Sequence, residues 1–507
     1  MKKVIKLLNM DFPDPDVIRV GDTYYMISTT MHFCPGAQIL SSTDLIHWKH
    51  ASYVYEIPEV TPAGCLENSS HIYGKGKWAA SLRYHDGIFY VCFVANDTHK
   101  TYLYRAFSAE GPWEMNEIAG FYHDCSLLFD EGRVFIVYGN TQIYITELND
   151  SLTAPKEGGL NKMILEDRGD IRLGYEGAHL YKLDGKYYLF LIHWPNSGAA
   201  RRTQSCFVAD SLDGEWIGRD IYDWDGGFRH SGVAQGGIVD TPEGEYYAIL
   251  FQDSGAVGRI PVLVPREFVD GWPVLCEVPE TGYSEKIHQI YGKELYFSDD
   301  FSNGLDVRWQ WNHIPDFNCI QVNSENKTLK LTTGRLASNL TLARNILTQR
   351  MLYPSCAAEV TINGEDLKAG DYAGLCALEG SYSFIALTKN TDGFALVVKH
   401  RPDNKEIWGF PGQDEPDYTI AALPWNGSEV KFRLEASFRN DDVCMFRYHD
   451  GREWKQLGET CPLVFRLDHF SGCRFGLFLY STKETGGSAS FRDFHYINPN
   501  GLSDIDE

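Results

Sequence analysis

The sequence predicts an all-β protein in two parts, a five-bladed β-propeller over residues 1–288 and a β-sandwich over residues 294–507. Three observations carry this prediction. One hairpin signature recurs five times in the first half, and aromatics make up 14% of the chain alongside 47 glycines. No long stretch shows the 3.6-residue apolar period of a helix. A chain of 507 residues is also too long for one ordinary hydrophobic core.

The recurring signature is a tight turn containing Gly, then an aromatic or aromatic-apolar pair, then an apolar run. Its copies are Val20-Gly21-Asp22-Thr23-Tyr24-Tyr25, His85-Asp86-Gly87-Ile88-Phe89-Tyr90, Asp130-Glu131-Gly132-Arg133-Val134-Phe135, Leu183-Asp184-Gly185-Lys186-Tyr187-Tyr188 and Pro242-Glu243-Gly244-Glu245-Tyr246-Tyr247. Each reads as a hairpin turn feeding a strand. They recur every ~45–65 residues, the span of a four-stranded propeller blade with its loops. A second element follows several copies: Ser42-Thr43-Asp44-Leu45-Ile46-His47-Trp48, Ala109-Glu110-Gly111-Pro112-Trp113 and Ser211-Leu212-Asp213-Gly214-Glu215-Trp216 are polar turns ending in Trp. They mark the outer edge of a blade, where the indole closes the core. A sandwich of five hairpins would carry the same turns, and the regular spacing favours the propeller over it.

From Phe297-Ser298-Asp299-Asp300-Phe301 onward, alternating strands such as Thr328–Thr332, Ala395–His400 and Ala489–Phe494 take over. They predict the second all-β domain.

Composition excludes several functions. A net charge of -23 repels polyphosphate, so no nucleic-acid partner is expected. The longest apolar runs, Tyr187–Leu191 and Tyr246–Phe251, are strand-sized, so no membrane partner is expected either. The first residues lack the 7–15-residue apolar core of a signal peptide, which points to the cytoplasm. The 12 cysteines are scattered with no C-x-x-C pair, so neither zinc nor a disulfide framework is suggested. There is no G-x-S-x-G, P-loop, G-x-G-x-x-G after a strand, or H-E-x-x-H. Carboxylates in unusual surroundings remain.

Asp14 is clamped between Pro13 and Pro15, which fixes each proline φ and favours extended backbone before it. Asp124 stands just before the apolar run Cys125–Phe129. Glu176 lies between Tyr175 and Gly177 at a strand start, and a Glu in apolar company has the raised pKa that a proton donor needs. Each alone is explained as a strand-end acid; together they fall at the starts of innermost strands of different blades.

Here a resemblance becomes specific. The runs Phe12-Pro13-Asp14-Pro15-Asp16 with Arg19–Tyr25, Ser42-x-Asp44-Leu45-x-x-Trp48, Trp78-Ala79 before Leu82–Gly87, and Tyr175-Glu176-Gly177-Ala178-His179-Leu180-Tyr181 resemble glycoside hydrolase family 43. Together they cover nearly all of residues 9–285. The later half, notably Leu342–Arg350, resembles the sandwich appended to that family's β-xylosidases. The resemblance implies Asp14 as general base, Glu176 as general acid, and Asp124 as the acid that tunes and orients Glu176. It implies Trp78 as a sugar-stacking ring, Phe33 in a loop shaping the same subsite, and Arg259 against the substrate and the acids. Many members carry a His in the central channel near a calcium ion; here Gln235 aligns there, and an amide oxygen still admits a structural calcium. The metal site is otherwise unknown, with Asp299, Asp300 and Asp493 as weaker candidates read better as turn acids. No cofactor is needed for the chemistry.

The reading is an inverting exo-glycosidase that releases xylose from β-1,4-linked xylo-oligosaccharides or arabinoxylan fragments. The sandwich is expected to send a loop over the propeller, with Ser481–Gly487 as the candidate. The alternatives are an α-L-arabinofuranosidase or dual enzyme and, from another class, a non-catalytic carbohydrate-binding propeller. A retaining fructan-cleaving propeller would carry N-D-P-N-G and R-D-P segments, which are absent. A protein-interaction propeller leaves Pro13-Asp14-Pro15 unexplained. A homo-oligomer is left open.

Overall fold

A computed structural model describes residues 5–57, 59–275, 295–403 and 416–498. The boundary expected between 288 and 294 lies outside the described residues. Five antiparallel sheets make the propeller. Blade I holds Asp16–Val20, Thr23–Ile27, Gly36–Ser42 and Lys49–Tyr55. Blade II holds Lys77–His85, Ile88–Ala95, Lys100–Ala106 and Glu114–Ile118. Blade III holds Ser126–Asp130, Arg133–Asn140, Gln142–Leu148 and Asn161–Glu166. Blade IV holds Ile171–Leu183, Lys186–Pro195, Thr203–Ala209 and Ile217–Tyr222.

Blade V is built differently. Val233–Asp240, Tyr246–Asp253 and Arg259–Val269 supply its inner strands. Its outer edge comes from both ends of the domain: Ile5–Lys6 pairs with Arg259–Val269 at Leu263 and Val262, and Trp272–Leu275 pairs further along. The N-terminal segment therefore latches the ring, so that first and last blades are hydrogen-bonded together. This removes the open edges an unclosed ring would present.

The five repeated turns sit where the sequence predicts, each joining the innermost strand of a blade to the next. In three of them both central residues have positive φ: Asp86 and Gly87, Glu131 and Gly132, Asp184 and Gly185. That is the two-residue turn whose twist matches paired strands, and Asp-Gly suits it because Gly adopts positive φ without strain. The turn-ending Trp48 and Trp216 are buried, and the Trp48 indole N–H donates to the Leu45 carbonyl at 2.9 Å.

Apolar residues from facing blades form separate cores, blade I with II, II with III, III with IV and IV with V. The blade V–blade I core is continuous with that of the sandwich. At the axis, Asp16 of blade I is fully buried. Its Oδ2 accepts from Arg83 Nη1 and the Leu82 N–H, both at 2.7 Å, and its Oδ1 lies 3.1 Å from His179 Nδ1. Arg83 of blade II reaches on to Ser126 Oγ at 2.7 Å and the Leu127 carbonyl at 2.8 Å in blade III. Ser126 in turn accepts the Leu180 N–H of blade IV at 3.0 Å. Four blades are thus tied by one polar knot. Burial alone would raise the Asp16 carboxyl, but Arg83 and His179 draw it below the ordinary carboxylate range.

The described residues between 297 and 498 form, with one strand lent by the propeller, a sandwich of two eight-stranded sheets. One sheet runs, edge to edge, Tyr418–Trp425, Gly393–His400, Ser383–Asn390, Asp371–Leu378, Arg474–Ser481, Ile346–Arg350 and Gln310–Asn312. Its eighth strand, Phe33–Cys34, comes from the propeller and pairs with Asn312 and Trp311. No helix among the described residues is long and apolar enough to cross a membrane.

Candidate active site

The funnel mouth repeats one structural device. Where each innermost strand begins, the backbone kinks and turns a side chain inward. Asp14 (φ 53°) and Asp124 (φ 48°) take left-handed backbone just before blades I and III. Register shifts fall between Lys77 and Ala80 in blade II, Glu176 and His179 in blade IV, and Ala234 and Gly237 in blade V. Gly177 (φ 63°) and Gln235 (φ 56°) lie at the last two. Bulges re-aim side chains in this way, and left-handed non-glycine residues mark strain held by the surrounding structure. Asp14 differs from its sequence expectation here, because extended backbone was predicted before Pro15. Two bonds to Pro13 hold the turn instead: its carbonyl accepts from Ser28 Oγ at 2.7 Å and the Thr29 N–H at 3.1 Å.

Asp14 is buried and doubly held. Its Oδ1 accepts from Arg259 Nη1 at 2.9 Å and its Oδ2 from the Thr29 hydroxyl at 2.6 Å. Arg259 is itself fully buried, and its backbone N–H donates to Asp11 Oδ1 at 2.8 Å. Gly258 allows that approach, since a Cβ there would lie 2.3 Å from the Asp11 carboxylate. Asp11 Oδ2 accepts the Gly472 N–H of the sandwich at 2.8 Å, so one carboxylate joins the Arg259 strand to the other domain.

Across the funnel, Asp124 is buried with no hydrogen bond to its Oδ1. Burial pushes its carboxyl up to about 7; Glu176 and Asp14 add to the rise and His123 opposes it. Asp124 therefore lies within electrostatic reach of both other acids. It also pins the strand that carries Glu176, accepting from the Gly177 N–H through its side chain and from the Ala178 N–H through its carbonyl at 3.2 Å.

Glu176 is mostly buried. Its Oε2 accepts from Asn140 Nδ2, and His123 Nε2 stands 3.5 Å from the same oxygen and 3.8 Å from Asp124 Oδ1. Burial would lower the His123 imidazole, but Asp124 and Glu176 carry it up to about 9.

Trp78 is half-buried, with His123 on one side (centroids 5.5 Å apart) and Phe470 on another (5.7 Å). Gln235 packs over Gly177, where a Cβ would lie 2.7 Å from its side chain, and Gln204 holds its backbone N–H at 2.8 Å. Asp14, Trp78, Asp124, Glu176, Gln235 and Arg259 therefore gather at the funnel. Phe33 does not join them. As the eighth strand of the sandwich sheet it is drawn into that domain's core with Leu340 and Tyr382, its ring 3.4 Å beneath the Arg474 guanidinium.

The covering loop also differs from expectation. Ser481–Gly487 stays on the sandwich, bonded to Gly370 and Thr333. The sandwich segment that reaches these residues is Leu463–Cys473, which places Phe470 against Trp78 and 4.3 Å from the Arg259 guanidinium. The Phe470 carbonyl accepts from Arg259 Nη2 at 3.3 Å. Phe470→Ala is expected to lower kcat/KM on xylobiose about 10-fold through KM, since ~1.4 kcal/mol of ring contact and cation–π cover is lost. An unchanged KM would show that the ring does not touch ligand.

The buried axial carboxylate Asp16 has both oxygens committed to Arg83, Leu82 and His179, so it offers none to a calcium ion beside Gln235. Asp299 accepts from the Phe301 and Asp306 N–H groups and the Trp309 indole, and Asp300 pairs with Lys327 at 2.8 Å, as turn acids do. His123, Asp124 and Glu176 bring ligand atoms within 4.8 Å of one another. The two acids draw the His123 imidazole up, and in its imidazolium form the ring donates and does not ligate a metal.

Residues 6–273 match the family described as "Glycosyl hydrolases family 43". The chain belongs to glycoside hydrolase family 43. It is a glycoside hydrolase whose residues 298–497 match the "Beta xylosidase C-terminal Concanavalin A-like domain". A "Beta-xylosidase" of Formosa agariphila is 24% identical, over 97% of this chain and 89% of that one. A "Non-reducing end alpha-L-arabinofuranosidase BoGH43B" of Bacteroides ovatus is 30% identical over 77% of each. Among solved structures, a "Bifunctional GH43-CE" protein of Bacteroides eggerthii is 39% identical with a TM-score of 0.87. That match covers 98% of this family 43 chain, which spans 64% of the longer protein.

Sequence reasoning missed His123, Asn140 and Phe470. His123 was adjacent to a named acid. Phe470 is an aromatic in the polar stretch Asp468–Gly472, a signal too common to single out unaided.

Proposed function

We propose that this protein is an inverting, exo-acting β-xylosidase that removes xylose from the non-reducing end of β-1,4-linked xylo-oligosaccharides. Asp14 accepts a proton from a water that attacks the anomeric carbon. Glu176 gives its proton to the departing oxygen, and Asp124 keeps Glu176 in place. Inverting enzymes need their two carboxyls on opposite sides of the bond with room for that water. The observation that carries this reading is the run of contacts from Asp14 through Arg259, Phe470, Trp78 and His123 to Glu176 and Asp124, which gathers the three acids on one side of the domain seam. The sandwich loop supports exo action, because Phe470 covers one side of the funnel where an internal chain segment would have to pass. The names of relatives support xylose as the sugar.

Proton NMR during xylobiose hydrolysis tests the reading. The expected first product at the new reducing end is α-xylose. Early β-xylose would overturn inversion, and accumulation of internal fragments from xylohexaose would overturn exo action. Activity on 4-nitrophenyl β-xyloside is expected to exceed that on the α-L-arabinofuranoside; the reverse order would favour the arabinofuranosidase.

A further inference from the structure

His123 is a titratable group that the three-acid account leaves without work. It lies on the Trp78 ring, in the blade III segment carrying Asp124, and its Nε2 faces both Asp124 and Glu176. Its contact with Glu176 falls on Oε2, the oxygen that already accepts from Asn140. Asn140 is itself fixed: its Oδ1 accepts from the Thr141 hydroxyl at 3.0 Å. Thr141 is anchored to the Glu176 strand, donating its N–H to the Tyr175 carbonyl at 2.8 Å and accepting the Asp167 N–H at 2.9 Å. An oxygen that accepts from an amide N–H and faces a ring nitrogen 3.5 Å away is poorly placed to bear hydrogen, so the carboxyl carries its proton on the other oxygen.

Resting on the proposed role of Glu176, we propose that His123 is a positioning residue of the proton-donating arm. With Asn140 it holds Glu176 by Oε2, which assigns Oε1 as the oxygen that delivers the proton. Its imidazolium also offsets the carboxylate charge that appears on Glu176 as that proton leaves. Charge placed where charge develops, in a site shielded from water, acts on the transition state more than on the bound substrate. His123 touches neither substrate nor the transferring proton; it works through Glu176.

This role has a signature that packing alone would not give. Departure of a sugar alkoxide needs proton donation, whereas departure of 2,4-dinitrophenolate needs almost none. His123→Phe keeps a ring against Trp78 and removes the charge and the N–H. The expected result is a kcat on xylobiose lowered roughly 30–100-fold, at or just below the lower end of what general acid catalysis contributes, since Glu176 itself remains. On 2,4-dinitrophenyl β-xyloside kcat should fall less than 3-fold, and KM should change little on either. Asn140→Ala should show the same selectivity in milder form, and His123→Gln, which keeps a donor, should recover part of the loss. Equal losses on both substrates would reduce His123 to packing and overturn the proposal, as would full activity on xylobiose. Glu176→Gln run alongside separates the two failures: if it too lacks leaving-group selectivity, the assignment of Glu176 as the acid is at fault rather than that of His123.

Discussion

Asp14→Asn is expected to lower kcat by ~10³–10⁴ on xylobiose and on dinitrophenyl xyloside alike, the upper part of the range for losing a general base. The two substrates fall together because water must be activated whatever group departs. Asparagine keeps the shape of the side chain, and its carbonyl oxygen can still accept from Arg259, so the fold should survive. It lacks the basicity to take a proton from water. The contrast with the leaving-group-dependent effect expected at Glu176 and His123 is the strongest internal check on the assigned roles. Steady-state kinetics on both substrates, with unchanged thermal unfolding as control, measures it. Residual activity above one tenth of the parent would mean that water is activated elsewhere.

The second large effect is on stability. Asp16→Asn should destabilise the protein by ~3–5 kcal/mol, because it leaves the buried Arg83 guanidinium without its counter-charge. The change strikes the joint of four blades rather than one strand, so the urea midpoint should move with no new intermediate. A shift equivalent to less than ~1 kcal/mol would show that Ser126 and the neighbouring carbonyls satisfy Arg83 unaided. The acid dependence follows from the sign of the shift. A carboxyl drawn down on folding contributes stability at pH values above its unfolded pKa, and that contribution is lost as pH falls through the lower folded value. The parent should therefore lose stability in that acid window, and the variant should be less sensitive there.

Much of the architecture was legible because a two-residue hairpin is a local event. Asp86-Gly87 and Asp184-Gly185 encode their own turns, and their spacing encodes the blade. The latch of the ring was not legible. Ile5–Lys6 is only two residues, and nothing local sets it apart from any other short apolar-basic run. The packing of Phe33 in the sandwich sheet was hidden for a related reason: whether an aromatic in a loop meets a funnel or a neighbouring sheet is decided by what lies across from it. The acids were legible as a set through resemblance, while their environment was not. Pro15 suggested extended backbone at Asp14, but the bonds of Ser28 and Thr29 to Pro13 outweigh that local preference.

The two residues that the propeller lends to the sandwich constrain how this enzyme can open. A strand pair at Phe33–Cys34, the Asp11 clasp on Gly472 and a common apolar core bind the two lobes together among the described residues. Sugar must then enter, and product leave, through a doorway of preset width. A sandwich transplanted from another family 43 protein would have to bring a matching receptor for that two-residue graft, or the doorway would lose its lintel.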